Sequence, residues 1–202
     1  MKRPTSGILS ESYVRMHVIL AGLCRNLTEL VHPQRGDHFA AAGIVILADA
    51  GVEAAINHVV EAAFRHADIL EKRTGASIVN VAYQAVTDTE PPLQRLKILA
   101  GVHGFPLDLG SEPWQSARDL HTIRNALAHF SGQPVASNYQ ESHAPSKVAD
   151  IVRRRGWKEP HHGESWLDAL ITAGLGNWAT ETLKAVIEKL EDRAWYQAVW
   201  VE

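Results

Sequence analysis

The residues with most chemistry to offer lie between Ser111 and Gly132, in SEPWQSARDLHTIRNALAHFSG. Within that stretch, Arg124-Asn125-Ala126-Leu127-Ala128-His129 sets a guanidinium beside a carboxamide and an imidazole on the next turn. An imidazole, with a reference pKa of about 6.5, can accept and return a proton at neutral pH. A guanidinium offers phosphate oxygens a fixed fork of donors. These are the groups that cleaving RNA without a metal demands. A base takes the 2'-hydroxyl proton, an acid protonates the leaving oxygen, and a positive charge meets the phosphate as it becomes more anionic.

The stretch reads as one helix with two opposed faces. Ser111 suits an N-cap, Glu112 and Pro113 suit a first turn, and Gly132 followed by Pro134 supplies the stop. At about 100° per residue, Leu120, Ile123, Leu127 and Phe130 form a narrow core stripe. Arg118, Thr122, Asn125 and His129 fall opposite it, and Arg124 lies on the flank within reach of a group held by Asn125 and His129. Other arginines stand at similar distances from a histidine, as Arg25 does from His32 and Arg154 from His161. Arg25 is likewise followed by Asn26, but only the pair at 124 and 129 combines Asn after Arg with flanking alanines and a preceding apolar pair, Leu120 and Ile123.

This arrangement resembles the HEPN superfamily, small all-helical domains whose signature is Arg, then usually a polar residue, then a few residues to His on a late helix of the bundle. The resemblance implies an all-α, up-and-down bundle of four to six helices and a metal-independent endoribonuclease deployed as a toxin or in antiviral defence. It also implies a homodimer in which two such helices make one composite cleft, an RNA substrate, a product with a cyclic phosphate, and an antitoxin or regulatory protein as a further partner. Carried onto this chain, Arg124 would hold the phosphate, His129 would act as acid or base, and Asn125 would orient one or the other. Some members carry a tyrosine two residues after the histidine; here that position is Ser131, so regulation through that tyrosine is not expected. The other reading is a non-catalytic HEPN-like module that binds RNA, a nucleotide or a protein partner.

The elements that must position this helix follow in chain order. Residues 1–9 read as a loose arm, and Ser10 can cap a helix to about His32, with Met16, Ile19, Leu20, Leu23, Leu27 and Leu30 at helical spacing and Pro33 ending it. Asp37 caps a second pattern to about Leu70, some 50 Å in one piece, with a kink or break expected near Gly51. It is apolar around most of its circumference, as the central member of a bundle should be. Asp49, Glu53 and Asn57 form a polar stripe along it at i, i+4 and i+8. A carboxylate on so apolar a helix needs a partner, because burying an unpaired charge is costly. Glu53 or Asp49 would orient Arg124 or His129, or else form an ordinary interhelical pair or a subunit contact.

The segment SIVNVAYQAVTD, dense in β-branched residues, is read as a short helix although a strand is also compatible. Pro91-Pro92 opens a clearer helix lined by Leu93, Leu96, Leu99 and Ala100, with Gly104 as its C-cap. Residues 133–164 lose periodicity and read as a functional loop or insertion. Inside it, Pro145 to Arg155 can form a short helix ending in Arg153-Arg154-Arg155. These arginines either complement the helix dipole or, with Arg118, contact an RNA backbone. Ser165 caps a last long helix through Leu190, and Trp195, Tyr196 and Trp200 dock on the domain or on a second subunit rather than stack on bases.

Composition bounds the rest. The 202 residues are expected to form one domain able to bury roughly 70% of its unfolded surface. The single cysteine, Cys24, excludes an internal disulfide and fits a reducing cytoplasm. A net charge of -3 argues against coating nucleic acid by bulk electrostatics, so any such contact is local. Glu11, Arg15 and His17 interrupt the approach to the apolar run 18–24, and Leu23 precedes Cys24 where a lipoprotein signal wants a small residue, so a secretion signal is rejected. No apolar run is expected to approach the ~20 residues of a membrane span. No Cys-x-x-Cys, helical Glu-x-x-His or phosphate-binding Gly-rich loop is found, so neither metal nor cofactor is expected.

Overall fold

The computed structural model describes residues 7–30, 38–65, 91–102, 107–128, 146–157 and 170–192. All regular structure among them is helical, so the chain is all-α over the described residues: α1 Gly7–Leu30, α2 His38–Arg65, α3 Pro92–Val102, α4 Trp114–Ala128, α5 Ser146–Arg155 and α6 Ala173–Glu191. The expected arm tip, the 77–88 helix, the Gly104 cap, most of the 133–164 insertion and the terminal aromatics lie outside the described residues.

The packing divides the chain into two compact units: Met1–Ile19 with Ala50–Gln115 and Lys184–Glu202, and Leu20–Asp49 with Ser116–Leu183. In the first, Val52, Ile56, Leu96, Leu99, Trp114 and Val186 form the buried core. Pro91 starts α3 there by accepting the amides of Gln94 and Arg95 through its carbonyl, and Pro92 occupies the first helical position, where no amide hydrogen is missed. Asn57, the third member of the polar stripe, accepts a 3.0 Å hydrogen bond from Arg95.

In the second unit the core is built from Cys24, Ile44, Val45, Leu120, Ile123, Val148, Ile151 and Leu183. The inward face of α1 is turned from the expected stripe. Cys24 is fully buried, with Leu20, Leu27 and Thr28 half-buried beside it, whereas Ile19 and Leu23 are 53% and 45% exposed. Small side chains let α1 sit close here: the Cys24 thiol lies 3.8 Å from the Ile44 carbonyl, and the Thr28 and Thr180 hydroxyls are 3.1 Å apart. Gly176 gives α6 a similar approach, since a Cβ there would stand 3.1 Å from Ile44 Cδ1.

α1 starts at Gly7, inside the arm expected over residues 1–9 and ahead of the expected Ser10 cap; three further points differ from expectation for local reasons. No break occurs at Gly51; α2 runs through it, because the roughly 1 kcal/mol that glycine costs a helix is offset by the burial of Ala48, Val52, Ala55 and Ile56 around it. In the turn before α4, the Ser111 hydroxyl is spent on the Asp108 carbonyl, and it is the Ser111 carbonyl that accepts the Gln115 amide. The last helix does not run unbroken from Ser165. Thr172 interrupts it and caps α6, its hydroxyl and carbonyl both receiving the Leu175 amide.

One described stretch, Ala40–Ala63 of α2, is long and apolar enough by length and composition to cross a membrane, contrary to the expectation that none approaches that size. Half of that window is buried inside the fold.

Candidate functional site

α4 carries two polar clusters within the second unit, one at its exposed face and one sunk into the core side. The first surrounds Arg124. Its Nη1 donates to Asn125 Oδ1 at 2.8 Å, and its Nε lies 3.6 Å from Asp49 Oδ2. Asn125 Nδ2 is 3.0 Å from His121 Nε2, one helical turn back, and His121 Nδ1 is 3.1 Å from the same Asp49 oxygen. Asp49, Arg124, Asn125 and His121 therefore close a ring of polar contacts. The core stripe of Leu120 and Ile123 anchors α4 beneath it.

Exposure within the ring is graded. Asp49 is 5% exposed overall, while the side chains of Arg124 and His121 are 38% and 46% exposed. A carboxylate so deeply buried needs cationic or donor partners to offset its desolvation. Two exposed groups supply them. The result is a fixed negative charge below and a guanidinium and an imidazole above, the latter pair facing solvent. A guanidinium held through Nη1 and Nε keeps the N–H groups of Nη2 for an anion.

The residues singled out from sequence fall as follows. Asp49 meets Arg124, Asn125 bonds it, and Glu53, one turn along α2, is exposed. Arg118 is exposed on α4, its carbonyl accepting the Thr122 hydroxyl. His129 and Phe130 lie outside the described residues. His121 was not anticipated as a site residue. Its signal was present in the spacing, since a residue three before Arg124 and four before Asn125 shares their face. Among the described residues, no three His, Cys, Asp or Glu side chains gather as a metal-binding group.

The second cluster absorbs much of the basic run that ends α5. Asp119, 3% exposed, takes Arg154 Nη2 on Oδ1 and both Nε and Nη2 of Arg155 on Oδ2. Arg155 Nη2 also donates to Ser116 Oγ at 2.9 Å, and its guanidinium lies 4.8 Å from the Trp178 ring centre and 5.9 Å from that of Trp157. The two indoles meet edge to face at 5.1 Å. Arg153 instead pairs with Asp150 on the surface of α5. The helix ends in Gly156, at φ 64°, with the Gly156 amide on the Arg153 carbonyl and the Trp157 amide on that of Val152.

Comparison of the chain with family models, with curated proteins and with solved structures finds no match. No family is assigned on that basis.

Proposed function

We propose that the chain is a metal-independent endoribonuclease of the HEPN type, acting as a homodimer in the cytoplasm in a toxin or antiviral-defence role and restrained by an antitoxin or regulatory protein. The observation that supports this reading is the state of Arg124. It is braced by Asn125 and buried Asp49 while its side chain remains 38% exposed. A charge fixed before the substrate arrives stabilises a transition state better than one that must be ordered during the reaction.

In this reading a base removes the 2'-hydroxyl proton, the 2'-oxygen bonds to phosphorus, and the bond from phosphorus to the 5'-oxygen breaks as an acid protonates that oxygen. The product carries a 2',3'-cyclic phosphate. Arg124 takes up the charge that grows on the phosphate oxygens, His129 carries one proton transfer, and the partner's copy of the motif completes the cleft.

The test is cleavage of total RNA and of a labelled oligonucleotide in excess EDTA by wild type, Arg124→Ala and His129→Ala, with the product 3' ends identified. Cutting by wild type alone, leaving cyclic phosphate ends, is the expected result. A folded, dimeric wild type that cuts nothing would replace the enzyme with a HEPN-like module that binds without catalysis.

A further inference from the structure

The polar ring around Arg124 can be closed in only one way. A guanidinium has donors and no acceptor, so the Asn125 oxygen, 2.8 Å from Arg124 Nη1, must be the atom that faces it. That turns the Asn125 nitrogen toward His121 Nε2, at 3.0 Å. A carboxamide nitrogen only donates, so Nε2 accepts and carries no proton. The proton of His121 then sits on Nδ1, where it meets Asp49 Oδ2 at 3.1 Å and Oδ1 at 3.3 Å. Asp49 closes the ring at Arg124 Nε, 3.6 Å away.

We propose that His121 is a positioning residue of this site: as a neutral, Nδ1-protonated imidazole it links buried Asp49 to Asn125, and through Asn125 it aims the Arg124 guanidinium at an RNA phosphodiester. The inference rests on the reading that Arg124 receives an RNA phosphate. Each member has a distinct part. Asp49 selects the tautomer, the tautomer fixes the Asn125 amide, and the amide holds Nη1 of the guanidinium while Asp49 faces Nε, leaving Nη2 for the phosphate. Without the imidazole, the carboxamide is free to rotate and Arg124 keeps only the longer contact to Asp49. Arginine then spends binding energy on ordering its own side chain.

Two measurements on the intact chain decide it. The first is affinity for a 2'-O-methyl oligoribonucleotide, which cannot be cleaved because it has no free 2'-hydroxyl. His121→Leu should weaken binding about 10-fold, an effect on the scale of one charge-assisted hydrogen bond, while lowering the melting temperature by only about 2–4 °C. His121→Gln, whose amide oxygen can again accept from Asn125, should recover most of that loss. Arg124→Ala should bind far more weakly than either. The second is the tautomer of His121 in wild type, read from long-range proton–nitrogen NMR correlations of the imidazole. A proton on Nδ1 is expected, and a dominant Nε2-protonated form would overturn the proposal whatever the variants do. Wild-type affinity in His121→Leu, with Arg124→Ala impaired, would overturn it while leaving the ribonuclease reading in place. Undiminished binding by Arg124→Ala would overturn both.

Discussion

Arg155 places two nitrogens on a single oxygen of Asp119, Nε at 3.0 Å and Nη2 at 2.7 Å from Oδ2, leaving Oδ1 to Arg154. The carboxylate they enclose is almost wholly buried, and it ties the C-terminal end of α5 to the middle of α4. Removing one member of such a pair strands a charge in the interior. Asp119→Ala is expected to destabilise the protein by about 3–5 kcal/mol, measured by urea unfolding, whereas Arg153→Ala, on the exposed Asp150 pair, should cost about 0.5 kcal/mol or less. Near-equal losses would show that the Asp119 cluster is not the anchor its burial implies.

Asp49 is served by both His121 and Arg124, and that redundancy makes a second prediction. Either His121→Ala or Arg124→Ala alone should cost about 1 kcal/mol, because the other partner remains. The double variant should cost about 3–5 kcal/mol, more than the two singles added, since the buried carboxylate then loses both. A double-mutant cycle by thermal unfolding checks this, and strict additivity would mean that the two residues do not share Asp49. RNA cleavage, by contrast, should vanish in the Arg124→Ala single variant.

Helix ends offer a third check. Gly156 holds φ at 64° with no atom near the position a Cβ would take, so substitution there meets backbone strain alone. Gly156→Ala is expected to cost roughly 1–2 kcal/mol and Gly156→Asn less, since asparagine tolerates the left-handed region. Thr172→Ala should cost about 1 kcal/mol by removing the cap of α6. Chemical denaturation of the three variants suffices, and a neutral Gly156→Ala would contradict the observed turn.

Burial pushes the Cys24 thiol up from its ordinary 9.0 to about 11. The native protein should therefore resist thiol reagents at neutral pH and become reactive on unfolding. The sign of the linkage is fixed by the raised value. In the folded state the thiol keeps its proton to higher pH, so its contribution to stability is full below pH 9 and is lost as the pH climbs towards 11. Unfolding free energies across that window should fall more steeply for wild type than for Cys24→Ala.

Much of this architecture was legible in the residue pattern, and the exceptions have physical causes. α2 announces itself by a long run of Ala, Val and Ile and α4 by Leu120, Ile123 and Leu127 at helical spacing, and a carboxylate such as Asp49 on so apolar a helix demands a partner. The identity of that partner is not local. His121 shares a helix face with Arg124 and Asn125, but spacing alone leaves it looking like any exposed histidine until another helix brings Asp49 to it. Asp119 was hidden for the converse reason, since one carboxylate at the edge of an amphipathic helix looks like a wetted position until two arginines from α5 close over it. The rotated face of α1 has a similar origin: leucine and isoleucine outweigh cysteine in any periodic pattern, yet close packing against α2 selects the smaller side chain.

The paired indoles of Trp157 and Trp178 also make the joint between α5 and α6 visible to light. Two such chromophores at this separation, inclined at 77°, couple their transition dipoles into a split circular-dichroism band whose sign and size depend on their mutual orientation. A guanidinium lying against one of the rings tunes the same transitions. The protein thus carries an intrinsic optical gauge of whether the basic end of α5 is seated, one that requires no dye or label.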